Sequence, residues 1–220
     1  MPTAVSASPL SPTHRGRPPI AGLRDNVLAV AERIFTDYDY HEVLMEDVAR
    51  ASGVGKGTLY RYFPSKRDLY LAVIFTGIEQ LHTELEAVID TPAAPVRKIE
   101  EVVRCILARF WDRRFLFALI HRNEHKPEDP GNQEWLRRRA QLSRTIQRAM
   151  QEAIGAGHVR RIDPRIATEM LLGMLRGANR YRSTHDTLDA MVAAVTEIFV
   201  CGAGTPAGRR LFPNGHAEKR

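Results

Sequence analysis

Met45-Glu46-Asp47-Val48-Ala49-Arg50-Ala51-Ser52-Gly53-Val54-Gly55-Lys56-Gly57-Thr58-Leu59-Tyr60-Arg61-Tyr62-Phe63 is the stretch that decides the fold. Two short segments of helical spacing, Met45 to Ala51 and Gly55 to Tyr62, flank a break at Ser52, Gly53 and Val54. Gly53 can take the positive φ of a tight turn. Ala49 is small where the second helix must approach, and Val48, Val54 and Leu59 are apolar where the two helices pack. The spacing predicts a helix-turn-helix. Its second helix turns Lys56, Thr58, Tyr60 and Arg61 outward, two cations and two hydroxyls able to meet phosphates and base edges.

Outward from this motif, almost every periodic segment repeats with helical spacing, and no alternating β-branched run is flanked by hairpin signals. The fold class is all-α. A first helix spans about Leu23 to Asp37, with Val27, Leu28, Ala31, Ile34 and Phe35 on one face. Ser65 is the expected N-cap of a fourth helix that buries Leu69, Val73, Ile78, Leu81 and Leu85 and links two domains. Further helices are expected at Val96 to Phe110, Arg113 to Glu124, Trp135 to Ile154, Pro164 to Tyr181 and Leu188 to Cys201. Pro127, Pro130 and Gly131 mark one loop; Gly155, Gly157 and the Asp163-Pro164 helix start mark another. The expected organisation is a flexible arm (1–20), a three-helix helix-turn-helix domain (21–66), a larger helical domain (67–201) and a flexible tail (202–220).

The 220 residues, 44% hydrophobic and 26% charged, are ordinary globular composition. Net charge is +6, and its placement says more than its size. Arg50, Lys56, Arg61, Lys66 and Arg67 occupy a stretch without one acid, while Glu32, Asp37, Asp39, Glu42, Glu46 and Asp47 lie just upstream. A positive field confined to one face suits phosphate docking. The 2 cysteines, Cys105 and Cys201, form no metal or disulfide framework. The apolar runs are too short to span a bilayer, and the Pro-rich first residues lack the apolar core of a secretory signal. A cytoplasmic protein with no cofactor and no membrane contact is the expectation.

The motif resembles the tetracycline-repressor (TetR) family, whose DNA-binding domain ends in a signature like Lys56-Gly57-Thr58-Leu59-Tyr60-Arg61-Tyr62-Phe63 followed by Lys66. The likeness covers about Leu23 to Val73 well, with a weaker echo at Gly155 to Pro164. The resemblance implies a homodimer that places two recognition helices in successive major grooves of a palindromic double-stranded DNA operator. It also implies release by a small-molecule effector held in the C-terminal body. Carried over position by position, it makes Thr58 and Arg61 base-facing and puts Lys56 and Gly57 in the recognition helix, Lys56 at the groove edge. Tyr60, Tyr62 and Lys66 become phosphate contacts, with Tyr62 the more buried tyrosine. Leu44 and Gly55 depart from the family, standing where Ser or Thr commonly caps a helix.

Arg15-Gly16-Arg17-Pro18 resembles the core of a minor-groove-binding arm. His121-Arg122-Asn123-Glu124-His125 matches a zinc-peptidase pattern but ends at Lys126-Pro127 with no third ligand, so a metal and catalysis are not expected. Trp111, Phe115, His121, Met174 and Arg176 are candidate ligand-pocket residues. Met170, Leu171, Met174 and Leu175, with Leu188, Met191, Val192, Val195 and Phe199, supply the apolar surface expected to dimerise as a four-helix bundle. The competing readings are a helical ligand-binding or scaffold protein without DNA activity and, remotely, a zinc-dependent hydrolase.

Overall fold

The computed structural model describes residues 22–111 and 130–210. Nine helices cover these segments. They are α1 (Leu23–Asp37), α2 (Met45–Ala51), α3 (Lys56–Tyr62), α4 (Lys66–Ile89), α5 (Pro95–Trp111), α6 (Pro130–Gly155), α7 (Pro164–Tyr181), α8 (Leu188–Ala203) and α9 (Pro206–Arg210). Among the described residues there is no strand, only an isolated antiparallel bridge between Val159 and Gly204. The expected helix from Arg113 to Glu124 lies outside the described residues.

Local chemistry sets the boundaries. The Ser65 hydroxyl accepts from the Asp68 backbone N–H, and Asp163 accepts from the Arg165 backbone N–H. Each satisfies one of the donors a helix start leaves orphaned. Gly157, at φ 70°, takes the left-handed turn that ends α6. The expected start of α6 is corrected: Pro130 and Gly131 do not form a loop but open the helix, where a proline's missing N–H costs nothing. Of the expected tail, residues 202–210 are placed, and 211–220 lie outside the described residues. Gly202 and Ala203 continue α8, Gly204 pairs with Val159, and the Thr205 N–H donates to the His158 carbonyl, so the chain after α8 is pinned to the α6–α7 turn. A Cβ at Gly204 would collide with the Val200 carbonyl oxygen.

Two apolar cores share α4. In the head, Val27, Ala31 and Phe35 of α1 meet Val48, Ala49, Leu59 and Phe63, and are sealed by Leu69, Tyr70, Val73, Ile74 and Ile78 of α4. In the body, Leu81 and Leu85 of α4 pack with Ile99, Val103 and Leu107 of α5, Ile146 and Met150 of α6, Leu171 and Leu175 of α7, and Val195 and Phe199 of α8. The head core therefore does not stop at residue 66: it runs to Ile78 and takes in Trp135 of α6. Charged groups stitch the same seams. The Arg148 guanidinium reaches Glu86 of α4 and Asp90 just after it (2.6 and 2.9 Å), and Arg138 lies over the Phe75 ring. The Lys98 ammonium, almost wholly buried, donates to the Ile89 carbonyl at the end of α4 (2.5 Å) and to Glu152 of α6 (2.7 Å).

The expected dimer surface needs revision. Leu171, Leu175, Val192, Val195 and Phe199 are buried within the subunit. The opposite faces of α7 and α8 carry the exposed apolar residues: Met170 is 57% and Ile198 64% exposed, with Ile166, Gly173, Ala190 and Ala194 beside them. Packing on α5 and α6 absorbs one side of each helix.

Lys98→Met, which removes the donor from the buried Ile89 carbonyl, is expected to cost about 1–3 kcal/mol of stability. Urea unfolding against the wild type measures it; an unchanged midpoint would show that the ammonium ties nothing.

Candidate nucleic-acid interface

The geometry of α2, its turn and α3 follows from a few constraints. Gly53 adopts φ 70°, a region that side-chain-bearing residues rarely enter. The Val54 N–H reaches back to the Ala49 carbonyl (3.0 Å), and the Ser52 hydroxyl donates to the Val48 carbonyl (2.5 Å). The turn so closed drives Leu59, fully buried, into the head core against Val48 and Ala49. With Leu59 inward, helical spacing puts Lys56, Gly57, Tyr60 and Arg61 at the surface, while Thr58 and Tyr62 are half-buried. Tyr60 is 37% exposed, and Tyr62 packs partly on the core.

These side chains are pre-arranged by one another. The Lys56 ammonium lies 2.6 Å from the Glu46 carboxylate of α2 and 5.9 Å from the centre of the Tyr60 ring. The hydrogen bond from Lys56 holds the Glu46 carboxyl below the usual carboxylate range, and the same bond raises the Lys56 ammonium. Both groups are open to solvent, so the pair is worth little to stability and is free to exchange partners. Arg61 stacks 5.7 Å from the Tyr62 ring centre. The surface of α3 thus offers two cations laid over aromatic faces.

Lys66 has a different place from the phosphate contact expected of it. Its ammonium donates to the carbonyls of Tyr40 (2.8 Å), His41 (3.3 Å) and Val43 (2.9 Å), and sits 4.6 Å from the Tyr40 ring centre. All three donors are spent on the loop between α1 and α2, because that loop turns its carbonyls toward the start of α4. Lys66 ties the α1–α2 loop to the start of α4. Conversely, two residues of α1 were missed: the Asn26 amide donates to the Ser52 carbonyl in the turn (3.1 Å), and Arg24 covers the Phe63 ring (5.6 Å) at the end of α3. Both contacts join residues far apart in sequence, so no local pattern signals them.

Of the candidate pocket residues, Trp111, Met174 and Arg176 are among the described residues. The ring and carbonyl of Trp111 are covered by Arg182, whose guanidinium carbon is 4.2 Å from the ring centre. Met174 packs on the body core, Arg176 is half-buried two residues further along α7, and Phe115 and His121 lie outside the described residues. The histidine pair around Glu124, with Arg15 and Arg17, also lies outside them. Among the described residues, no cluster of three or more His, Cys, Asp or Glu could hold a metal ion, and no helix is long and apolar enough to cross a membrane.

Residues 27–73 match the family described as bacterial regulatory proteins, tetR family, and residues 92–200 match the tetracyclin repressor-like C-terminal domain. The chain belongs to the TetR family. It is similar to the HTH-type transcriptional activator FasR of Mycolicibacterium smegmatis, 28% identical over 105 residues, or 48% of each chain. The match thus spans about half the length of that relative. Its fold is similar to that of a TetR/AcrR-family regulator from Thermobifida fusca (TM-score 0.70, 23% identity, 81% of this chain and 97% of that one). It is likewise similar to FadR from Bacillus subtilis, solved with stearoyl-CoA (TM-score 0.69, 19% identity, 81% and 98%). At those identities the likeness is one of fold. The all-α class and the head-plus-body arrangement read from the sequence agree with the family.

Lys66→Met is expected to lower the stability of the DNA-free protein by about 1 kcal/mol, since half-buried loop carbonyls lose a charged donor. Thermal unfolding without any nucleic acid reads it. A group serving only to touch phosphate would leave that transition where it was.

Proposed function

We propose that the protein is a sequence-specific transcriptional repressor that binds a palindromic DNA operator as a homodimer and leaves it when a small-molecule effector occupies the body. The carrying observation is α3: one side chain, Leu59, anchors it in the core, and its outward face holds Lys56, Gly57, Tyr60 and Arg61. In this reading Thr58 and Arg61 meet base edges in the major groove, Tyr60 and Tyr62 meet phosphates, and Lys56 trades Glu46 for a phosphate at the groove edge. Gly57 supports it. A Cβ there would meet nothing within 4 Å, so nothing inside the molecule asks for glycine in the first turn of α3. Glycine at such a site costs about 0.5–1 kcal/mol relative to alanine, a cost explained by close approach of the DNA.

An isologous four-helix bundle with a second copy is supported by the exposed faces of α7 and α8, where Met170 and Ile198 with small neighbours give an apolar surface. The paired recognition helices would then sit roughly 34–36 Å apart, one turn of DNA. Helix α4, with one half in each core, is the natural lever between effector and head. The stearoyl-CoA held by the FadR neighbour makes long-chain acyl-CoA the first effector to test. The protein acts in the cytoplasm, residues 21–66 with the first half of α4 read DNA, the rest of the body regulates, and it catalyses nothing.

Genomic-fragment selection with sequencing is expected to recover a palindromic site. Arg61→Ala should relax or abolish the enrichment, and Gly57→Ala should weaken binding while raising the unfolding temperature. Enrichment of no site by the wild type would end this reading in favour of a helical protein without DNA activity. Ile198→Glu, which places a charge on the α8 face, should convert dimer to monomer by analytical ultracentrifugation; a dimer that persists would move the interface elsewhere.

A further inference from the structure

Most of the arginines of α6 are claimed by acids. Arg137 and Arg138 hold Glu134, Arg139 holds Glu169, and Arg148 holds Glu86 and Asp90. Arg144 differs: it is exposed, and among the described residues it pairs with no acid. It stands over a cleft of about 710 Å³ between α4 and α6.

One wall of that cleft is a single stripe of α6. Gln141, Arg144, Arg148 and Gln151 follow one another at intervals of three and four residues and so share a helix face. The other wall is His82 and Glu86 of α4, and Thr145, almost wholly buried, joins the two. His82 Nε2 lies 3.0 Å from the Thr145 hydroxyl, which donates to Glu86 (2.6 Å). That hydroxyl has one proton to give, so His82 Nε2 is the donor to it. Glu86 accepts from Arg148 as well (2.6 Å). The one carboxylate of the cleft is thus already engaged. Its cations and amides are not: Arg144 has no acid, and among the described residues no hydrogen bond uses the side-chain amides of Gln141, Gln147 or Gln151.

This surplus of donors selects the ligand. A carboxylate would bring no more than Glu86 and Asp90 already offer Arg148. A phosphate brings a charge of about −1.5 to −2 and three strong acceptor oxygens, and guanidinium forks take it in bidentate fashion. The volume falls within the roughly 300–1,000 Å³ of small-molecule sites, which leaves room for an organic remainder. Operator phosphates are not the source. At 1.5 Å of rise per residue, His82 lies about 24 Å along α4 from Lys66 and the head.

We propose that the cleft between α4 and α6 binds a phosphate-bearing small molecule, with Arg144 and Arg148 on the phosphate and the glutamine amides on its remaining polar groups. Such a ligand rests on the two helices that join head and body. The inference goes beyond the transcriptional reading and does not depend on it.

The test is calorimetric titration of the full chain with pyrophosphate and, separately, citrate, at constant ionic strength and without DNA. Wild type is expected to bind one pyrophosphate per chain, at least about tenfold more tightly than citrate. Arg144→Gln should weaken pyrophosphate about tenfold or more, and Gln151→Leu about threefold. Arg137→Gln, whose guanidinium belongs to Glu134, should leave binding unchanged. Unfolding of Arg144→Gln without ligand should match wild type, since no acid is orphaned. Absence of saturable binding overturns the proposal. An equal loss in Arg137→Gln overturns it too, by showing an adventitious attraction to a basic helix, and citrate bound as tightly as pyrophosphate overturns the phosphate assignment.

Discussion

Everything in this molecule depends on α4 being buried twice. Leu69, Tyr70, Val73, Ile74 and Ile78 close the head, and Leu81 and Leu85 enter the body. A helix of 24 residues is about 36 Å long, and packed along both halves it cannot tilt without disturbing both cores. Trp135 reinforces the coupling, being an α6 residue lodged in the head's core, and Arg138 and Arg148 hold α6 to α4 on either side. Head and body are thus mechanically one object. A change in how α6 sits would be felt at the base of α3.

Electrostatics in the head serve two ends. Of the cations in the basic stretch, Lys66 is spent on loop carbonyls and Lys56 is lent to Glu46, while Arg61 lies on Tyr62. Counting positive charges along the chain therefore overstates the field available outside. The acids upstream are no separate face either, since Glu46 and Asp47 of α2 pair with Lys56 and Arg50.

Most of the architecture was legible in the sequence because it is built from local rules. Ser65, Asp163-Pro164, Gly53 and Gly157 announce their caps and turns, and the spacing of Leu69, Val73, Ile78, Leu81 and Leu85 gives the inward stripe of α4. What stayed hidden is set by partners remote in sequence. Nothing around Lys66 says that three carbonyls 23 to 26 residues away will claim its ammonium. Nor can periodicity decide which apolar face of α7 is covered at home: Leu171 and Leu175 proved internal and Met170 external. Pro130 misled because the same residue that breaks a helix also begins one.

The helices that carry the recognition surface are brief, and their starts are bare. Both α2 and α3 have 7 residues, and Leu44 and Gly55 at their N-caps provide no side-chain acceptor. Helices of that length do not persist alone in water. Their order is borrowed from α1 and α4, so the motif forms or melts as a unit with the head core. In the currency of amide exchange, α2 and α3 should open together at a free energy below that of the body. The recognition surface is thus as firm as the core that α1 and α4 build beneath it, and no firmer.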